Sequence, residues 1–114
     1  MTHLNDSNAQ WLGQLVTSPV AIETYLRAID DPASMTREDR FRFNMIVLQA
    51  MRSGEAMLTQ TQWGLVDDDH WLGMRATIKQ LMGSDAGRRA FETNRGFVSP
   101  QFADEVERIL SEIT

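Results

Sequence analysis

One short run of the sequence carries residue types that could do chemistry together, Asp67-Asp68-Asp69-His70. Carboxylates and an imidazole at helical spacing can share a metal ion or pass a proton. A calcium loop needs oxygen ligands at alternate positions, and Trp71 stands where one is required. A di-metal helical bundle needs two Glu-x-x-His pairs and two further carboxylates. This chain has two histidines and no Glu-x-x-His. The run reads better as a helix start, with Asp67 as the cap and Asp68 and Asp69 in the first turn, where the helix dipole favours negative charge. No metal site is expected. His3 falls in an N-terminal end expected to fray over residues 1–6, which leaves His70 as the one candidate proton shuttle. Nothing in the sequence sets a nucleophile or an orienting carboxylate beside it, so no catalytic residue is assigned. Glycine-rich phosphate loops, Gly-x-Ser-x-Gly elbows and dinucleotide fingerprints are missing, and no cofactor is expected. This pattern weighs against an enzyme without deciding the matter.

A second candidate is a basic stretch, Arg75, Lys79, Arg88, Arg89 and Arg95, opposed within 75–95 only by Asp85 and Glu92. It could form a face for an anion or a partner. Residues 97–114 carry the opposite balance, with Asp104, Glu105, Glu107 and Glu112 against Arg108. The two segments are therefore expected to pack together and pair their charges at the surface, where each pair contributes little.

Composition narrows the classes. The chain has 114 residues, the length of one domain, with 42% apolar and 24% charged residues. It has no cysteine, so thiolate catalysis, disulfides, thiolate zinc sites and iron–sulfur clusters are excluded. A net charge of −5 argues against nucleic acid as a partner, since such binding needs a basic surface. No apolar run approaches the ~20 residues of a membrane helix, and residues 1–10 show no secretory signal. A cytoplasmic protein is expected, with no membrane association encoded in the chain.

The elements that must position these residues are helices. No alternating β-branched pattern and no Asn-Gly or Asp-Gly hairpin signal occurs. A first helix is expected from about Asp6 or Ser7, with a stripe of Trp11, Leu12, Leu15 and Val16. Ser18-Pro19 starts a second, because serine caps free N–H groups and proline at the first position leaves none unpaired. Its expected buried face is Ile22, Tyr25, Leu26 and Ile29. Thr36 with Asp39 opens the third and longest helix, from about Arg37 to Trp63. Between Phe41 and Met51 this helix is apolar nearly all round, the mark of a central element with neighbours on several sides. Ala50 and Gly54 would let another helix come close. Gly64 is a left-handed stop, with Leu65 expected to pack back.

The fourth helix starts at Asp67, with Val66 and Trp71 as a hydrophobic staple and Trp71, Met74, Ile78 and Leu81 as its stripe. Gly83 ends it. Ser84-Asp85 caps a short fifth helix with Ala90 and Phe91 inward, closing near Gly96. Ser99-Pro100 starts the last, with Phe102, Val106, Ile109 and Ile113 as its stripe. The prediction is all-α: one domain over 1–114, a bundle of five or six helices packed around the long central third helix. Short connections set neighbours antiparallel or at steep angles.

Several segments carry a family resemblance. Tyr25-Leu26-Arg27 leads into Asp31-Pro32, followed by Thr36-Arg37-Glu38-Asp39-Arg40-Phe41-Arg42-Phe43. Gly64-Leu65-Val66-Asp67-Asp68-Asp69-His70-Trp71 comes next, then the arginines with Phe91, then Gly96-Phe97-Val98-Ser99-Pro100-Gln101-Phe102. In these residues the chain, from about Pro19 to Leu110, resembles a family of uncharacterised bacterial proteins whose members often carry an N-terminal membrane helix, a feature not seen here. The resemblance implies an all-helical fold and brings no activity or site residue with it.

The function expected by subtraction is a non-enzymatic protein-interaction or regulatory module, with a protein partner or a second copy. The alternative is a small-ligand sensor or carrier with an apolar pocket between helices, lined by Met, Phe and Trp, where the basic stretch could meet an anionic head group.

Overall fold

A computed structural model describes residues 18–113. In chain order it contains α1 (Pro19–Asp30), a 3-10 turn (Pro32–Ser34), α2 (Arg37–Gln62), α3 (Asp68–Met82), α4 (Asp85–Asn94), a second 3-10 turn (Arg95–Phe97) and α5 (Pro100–Ser111). These are the second to sixth helices expected from the sequence. The expected first helix, with Trp11, Leu12, Leu15 and Val16, lies outside the described residues. No strand occurs among the described residues, and none of their helices is long and apolar enough to cross a membrane.

The helix starts follow side-chain chemistry. Ser18, Ser84 and Ser99 each accept the backbone N–H three residues on, from Ala21, Gly87 and Phe102. Pro19 and Pro100 occupy the first position behind two of these caps. Thr36 and Asp39 form a full capping box: the threonine hydroxyl accepts the Asp39 N–H, and Asp39 Oδ2 accepts the Thr36 N–H, both at 3.0 Å. Asp67 stands at the expected N-cap of α3, but its side chain makes no capping bond. The exposed carboxylates of Asp68 and Asp69 in the first turn supply the dipole term instead.

The long helix α2 runs unbroken through Gly54 and ends at Gly64, whose φ of +74° only glycine adopts without strain. The Leu65 N–H reaches back to the Gln60 carbonyl and the Gly64 N–H to that of Thr61, which closes the end as a Schellman motif. Leu65 itself points to solvent rather than packing back.

The core forms where the other helices meet α2. Val47, Met51 and Met57 pack with Met74, Ile78 and Met82 of α3, Phe91 of α4, and Phe102, Val106 and Ile109 of α5. Four of the seven methionines of the chain are fully buried here, so most of the methionine content fills core gaps. Gly54 is the closest point: a Cβ there would lie 2.9 Å from the Phe102 ring. The expectation that small residues on the long helix admit a neighbour is met at this position. Gly87 plays the same part in the first turn of α4, where a Cβ would run into the Leu81 carbonyl oxygen at the end of α3.

Three expected faces turn out differently. In α1 the buried side is Thr24 and Ala28, flanked by Ala21 and Tyr25, while Ile22, Leu26 and Ile29 are exposed. The side of α1 that faces the bundle thus carries its smaller side chains, and its larger ones point outward. On α2, Phe41 and Met45 lie on the solvent side, so the helix is covered on fewer faces over its first turns than its composition suggests. In the C-terminal helix the stripe ends at Ile109, and Ile113, beyond the end of α5, is exposed.

Candidate functional site

The basic stretch is divided by the fold. Lys79 of α3 pairs with Glu112 at 3.1 Å, and Arg75 pairs with the same carboxylate. These two cations hold Glu112 below the ordinary carboxylate range, the Lys79 hydrogen bond being the largest cause. Arg95 lies over the buried Phe91 ring, 5.4 Å from its centroid, and meets Glu107 at 2.8 Å, Glu92 at 3.4 Å and Asp104 at 3.9 Å. The Arg95 hydrogen bond pulls the Glu107 pKa down, and the Arg95 pKa is raised in turn. Arg88 donates to the Leu110 carbonyl at 3.3 Å. Four of the five basic residues thus clamp α3 and α4 onto the acidic C-terminal segment, as the opposed charge balance implies.

Arg89 is the exception. It is exposed, and its side chain makes no ion pair or hydrogen bond among the described residues. It stands at the rim of a half-open cleft of about 240 Å³ between the first 3-10 turn, the start of α2 and the outer side of α4. The floor of the cleft is apolar: Pro32, Met35, Phe43 and Ala86. Met35 and Phe43 are buried, and Tyr25 of α1 backs the Phe43 ring at a centroid distance of 6.5 Å. The rim is polar, with Arg89 and Thr93 from α4 facing Arg40 and Asn44 from α2. The Arg40 side chain also makes no ion pair or hydrogen bond among the described residues.

Each wall of this cleft is fixed locally. The capping box at Thr36 sets where α2 begins and so where Arg40 leaves the helix, one residue after Asp39. Ser84 sets the start of α4 and carries Arg89 and Thr93 on one side of it, four residues apart. The Asn94 amide donates to the Asn44 carbonyl at 2.8 Å and pins α4 to α2 beside the opening. Arg40, Asn44, Met35 and Thr93 were not singled out by sequence, because nothing local marks residues separated by up to 58 positions as neighbours.

The acidic run behaves as a helix start. Asp67, Asp68 and Asp69 are exposed, and His70 is half-buried, with its backbone N–H donating to the Asp67 carbonyl at 3.1 Å. Among the described residues no group of three or more His, Asp or Glu side chains converges as a metal site would require.

Among the described residues the fold and the cleft define a small all-helical bundle with a two-arginine cleft and an outward apolar helix face. No known protein family, curated protein or solved structure matches the chain.

Proposed function

We propose that this chain is a non-enzymatic interaction module of the bacterial cytoplasm, working through the outward stripe of α1. The observation that supports the reading is the exposure of Ile22, Leu26 and Ile29 on one side of that helix. Isolated apolar residues on a surface need no explanation, whereas a stripe at helical spacing supports a helix-packing partner. Phe41 and Met45 on α2 add further exposed apolar area.

The stripe suits a second copy of the same chain. Leu26 sits at its middle, with Ile22 one turn before and Ile29 one turn after. Two α1 helices laid antiparallel about a two-fold axis would set Leu26 on Leu26 and Ile22 on Ile29, the self-complementary contact of an isologous dimer. Glu23 and Arg27, joined at 2.8 Å along the same helix, stand outside this seam.

Sedimentation equilibrium over a wide concentration range tests the reading. A monomer–dimer equilibrium is expected, and Leu26→Glu is expected to abolish it while the helical circular dichroism is retained. The lack of native cysteine makes a second readout simple: a single Leu26→Cys should cross-link to its partner on oxidation. A chain that stays monomeric throughout, with the Leu26→Cys thiol freely labelled and no cross-link, would remove the basis of the proposal.

A further inference from the structure

The geometry points to a binding site for a small organic carboxylate in the cleft between the first 3-10 turn, α2 and α4. This site is separate from the α1 stripe and does not depend on the interaction reading.

The argument begins with the two guanidiniums. Arg27, Arg42, Arg75, Arg95 and Arg108 all have carboxylate partners in the fold. Arg37, Arg40, Arg52, Arg88 and Arg89 have none among the described residues, and of these Arg40 and Arg89 line the same opening. The chain is acidic overall, with 16 Asp and Glu against 11 Lys and Arg, so carboxylates are in ample supply to pair them. Two unpaired guanidiniums from different helices at one cleft leave ten N–H donors, five on each, for an anion to meet. A planar carboxylate can accept a bidentate pair from one guanidinium and a single bond from the other.

The floor decides what else the ligand carries. Half-buried Pro32 and Ala86, over the edges of the buried Met35 and Phe43, offer an apolar surface with no charge. A bare inorganic anion would leave that surface wet. A cavity of about 150 Å³ lined by apolar side chains holds benzene. This cleft, at about 240 Å³, has room for a ring or a short branched chain together with its carboxylate. Asn44 and Thr93 stand on the rim beside the arginines, in position to bond a second polar group on the ligand. Methionine beside phenylalanine is a floor that adapts to the shape laid on it.

The probe is benzoate, with benzamide as its neutral counterpart and inorganic phosphate as an anion without an apolar body. The readout is the methyl signal of Met35 in protein labelled at the methionine methyls, followed during titration of the intact chain. Benzoate is expected to shift Met35 saturably and benzamide to do so far more weakly. Arg40→Gln and Arg89→Gln should each weaken benzoate about fivefold or more, the scale of losing a charge-assisted hydrogen bond. Arg52→Gln removes an exposed arginine outside the cleft and should leave the affinity unchanged. Helical circular dichroism of the Gln variants matching the parent separates lost binding from lost folding. No saturable shift, equal binding of benzamide, equal binding of phosphate, or an equal loss in the Arg52 variant would each overturn the assignment.

Discussion

Arg27 donates to Asp39 at 2.8 Å across the joint between α1 and α2, onto the same oxygen that accepts the Thr36 N–H of the capping box. One carboxylate therefore both starts the central helix and holds the preceding helix against it. Asp39 is 7% exposed, and Arg42 approaches its other oxygen at 3.5 Å. Its pKa is lowered first by the Thr36 N–H and then by Arg27, against a desolvation cost that raises it.

The lowered carboxylates set the acid limit of the fold. Asp39, Glu107 and Glu112 all titrate below their ordinary values in the folded chain. The unfolded chain thus binds protons at higher pH than the folded one. Their contribution is fully present above the unfolded values of about 4 and is lost as pH falls through the lower folded values. Thermal melts should show the midpoint dropping as pH is taken from about 5 to about 2. Asp39→Asn should melt lower than the parent at neutral pH and show a shallower fall in acid.

Gly54 and Phe102 test how closely α5 packs on α2. A Cβ at position 54 meets the ring at 2.9 Å, and the ring is only 1% exposed, so it has little room to retreat. Gly54→Val is expected to destabilise by about 1–3 kcal/mol in urea unfolding. Phe102→Leu in the same chain should recover part of that loss, giving a non-additive double-mutant cycle.

The two sides of α1 make opposite predictions. Ile22→Ser on the outward stripe should change monomer stability by no more than about 0.5 kcal/mol, as for a surface position. Ala28 is 1% exposed and faces the core. Ala28→Leu should cost about 1–3 kcal/mol by overpacking. A large loss at Ile22 and tolerance at Ala28 would mean that the helix is rotated relative to this structure.

The cap of α5 gives a smaller, cleaner effect. Ser99 accepts the Phe102 N–H at 3.1 Å, and its own N–H donates to Glu55 of α2 at 2.5 Å. Ser99→Ala removes only the first bond and should cost about 1 kcal/mol. Ser99→Asp should restore most of it, which denaturant midpoints at constant m-value would show.

Helix ends were legible in the sequence because their causes are local. Ser18-Pro19, Thr36 with Asp39, Ser84 and Ser99-Pro100 all start helices in the structure, and Gly64 ends one. Each depends on a side chain and backbone groups within a few residues of it, so short-range reading suffices. The stripes of α3 and α5 were also legible up to Ile109, since there the large apolar residues and the inward face coincide.

What the tertiary structure alone decided was which face of α1 and α2 turns inward, and which arginines keep a partner. In α1 hydrophobicity favoured Ile22, Leu26 and Ile29, but the bundle buries Thr24 and Ala28, with Arg27 bonded to Asp39 and Arg42 to Thr24 across the joint with α2. Arg75, Lys79, Arg88, Arg89 and Arg95 read as one basic stretch, and the packing of α5 satisfied four of them and left Arg89 across a cleft from Arg40. Helix starts are short-range bonds and are written in a few adjacent residues. Face selection and charge pairing are contests among distant segments for the same space, and only the assembled bundle settles them.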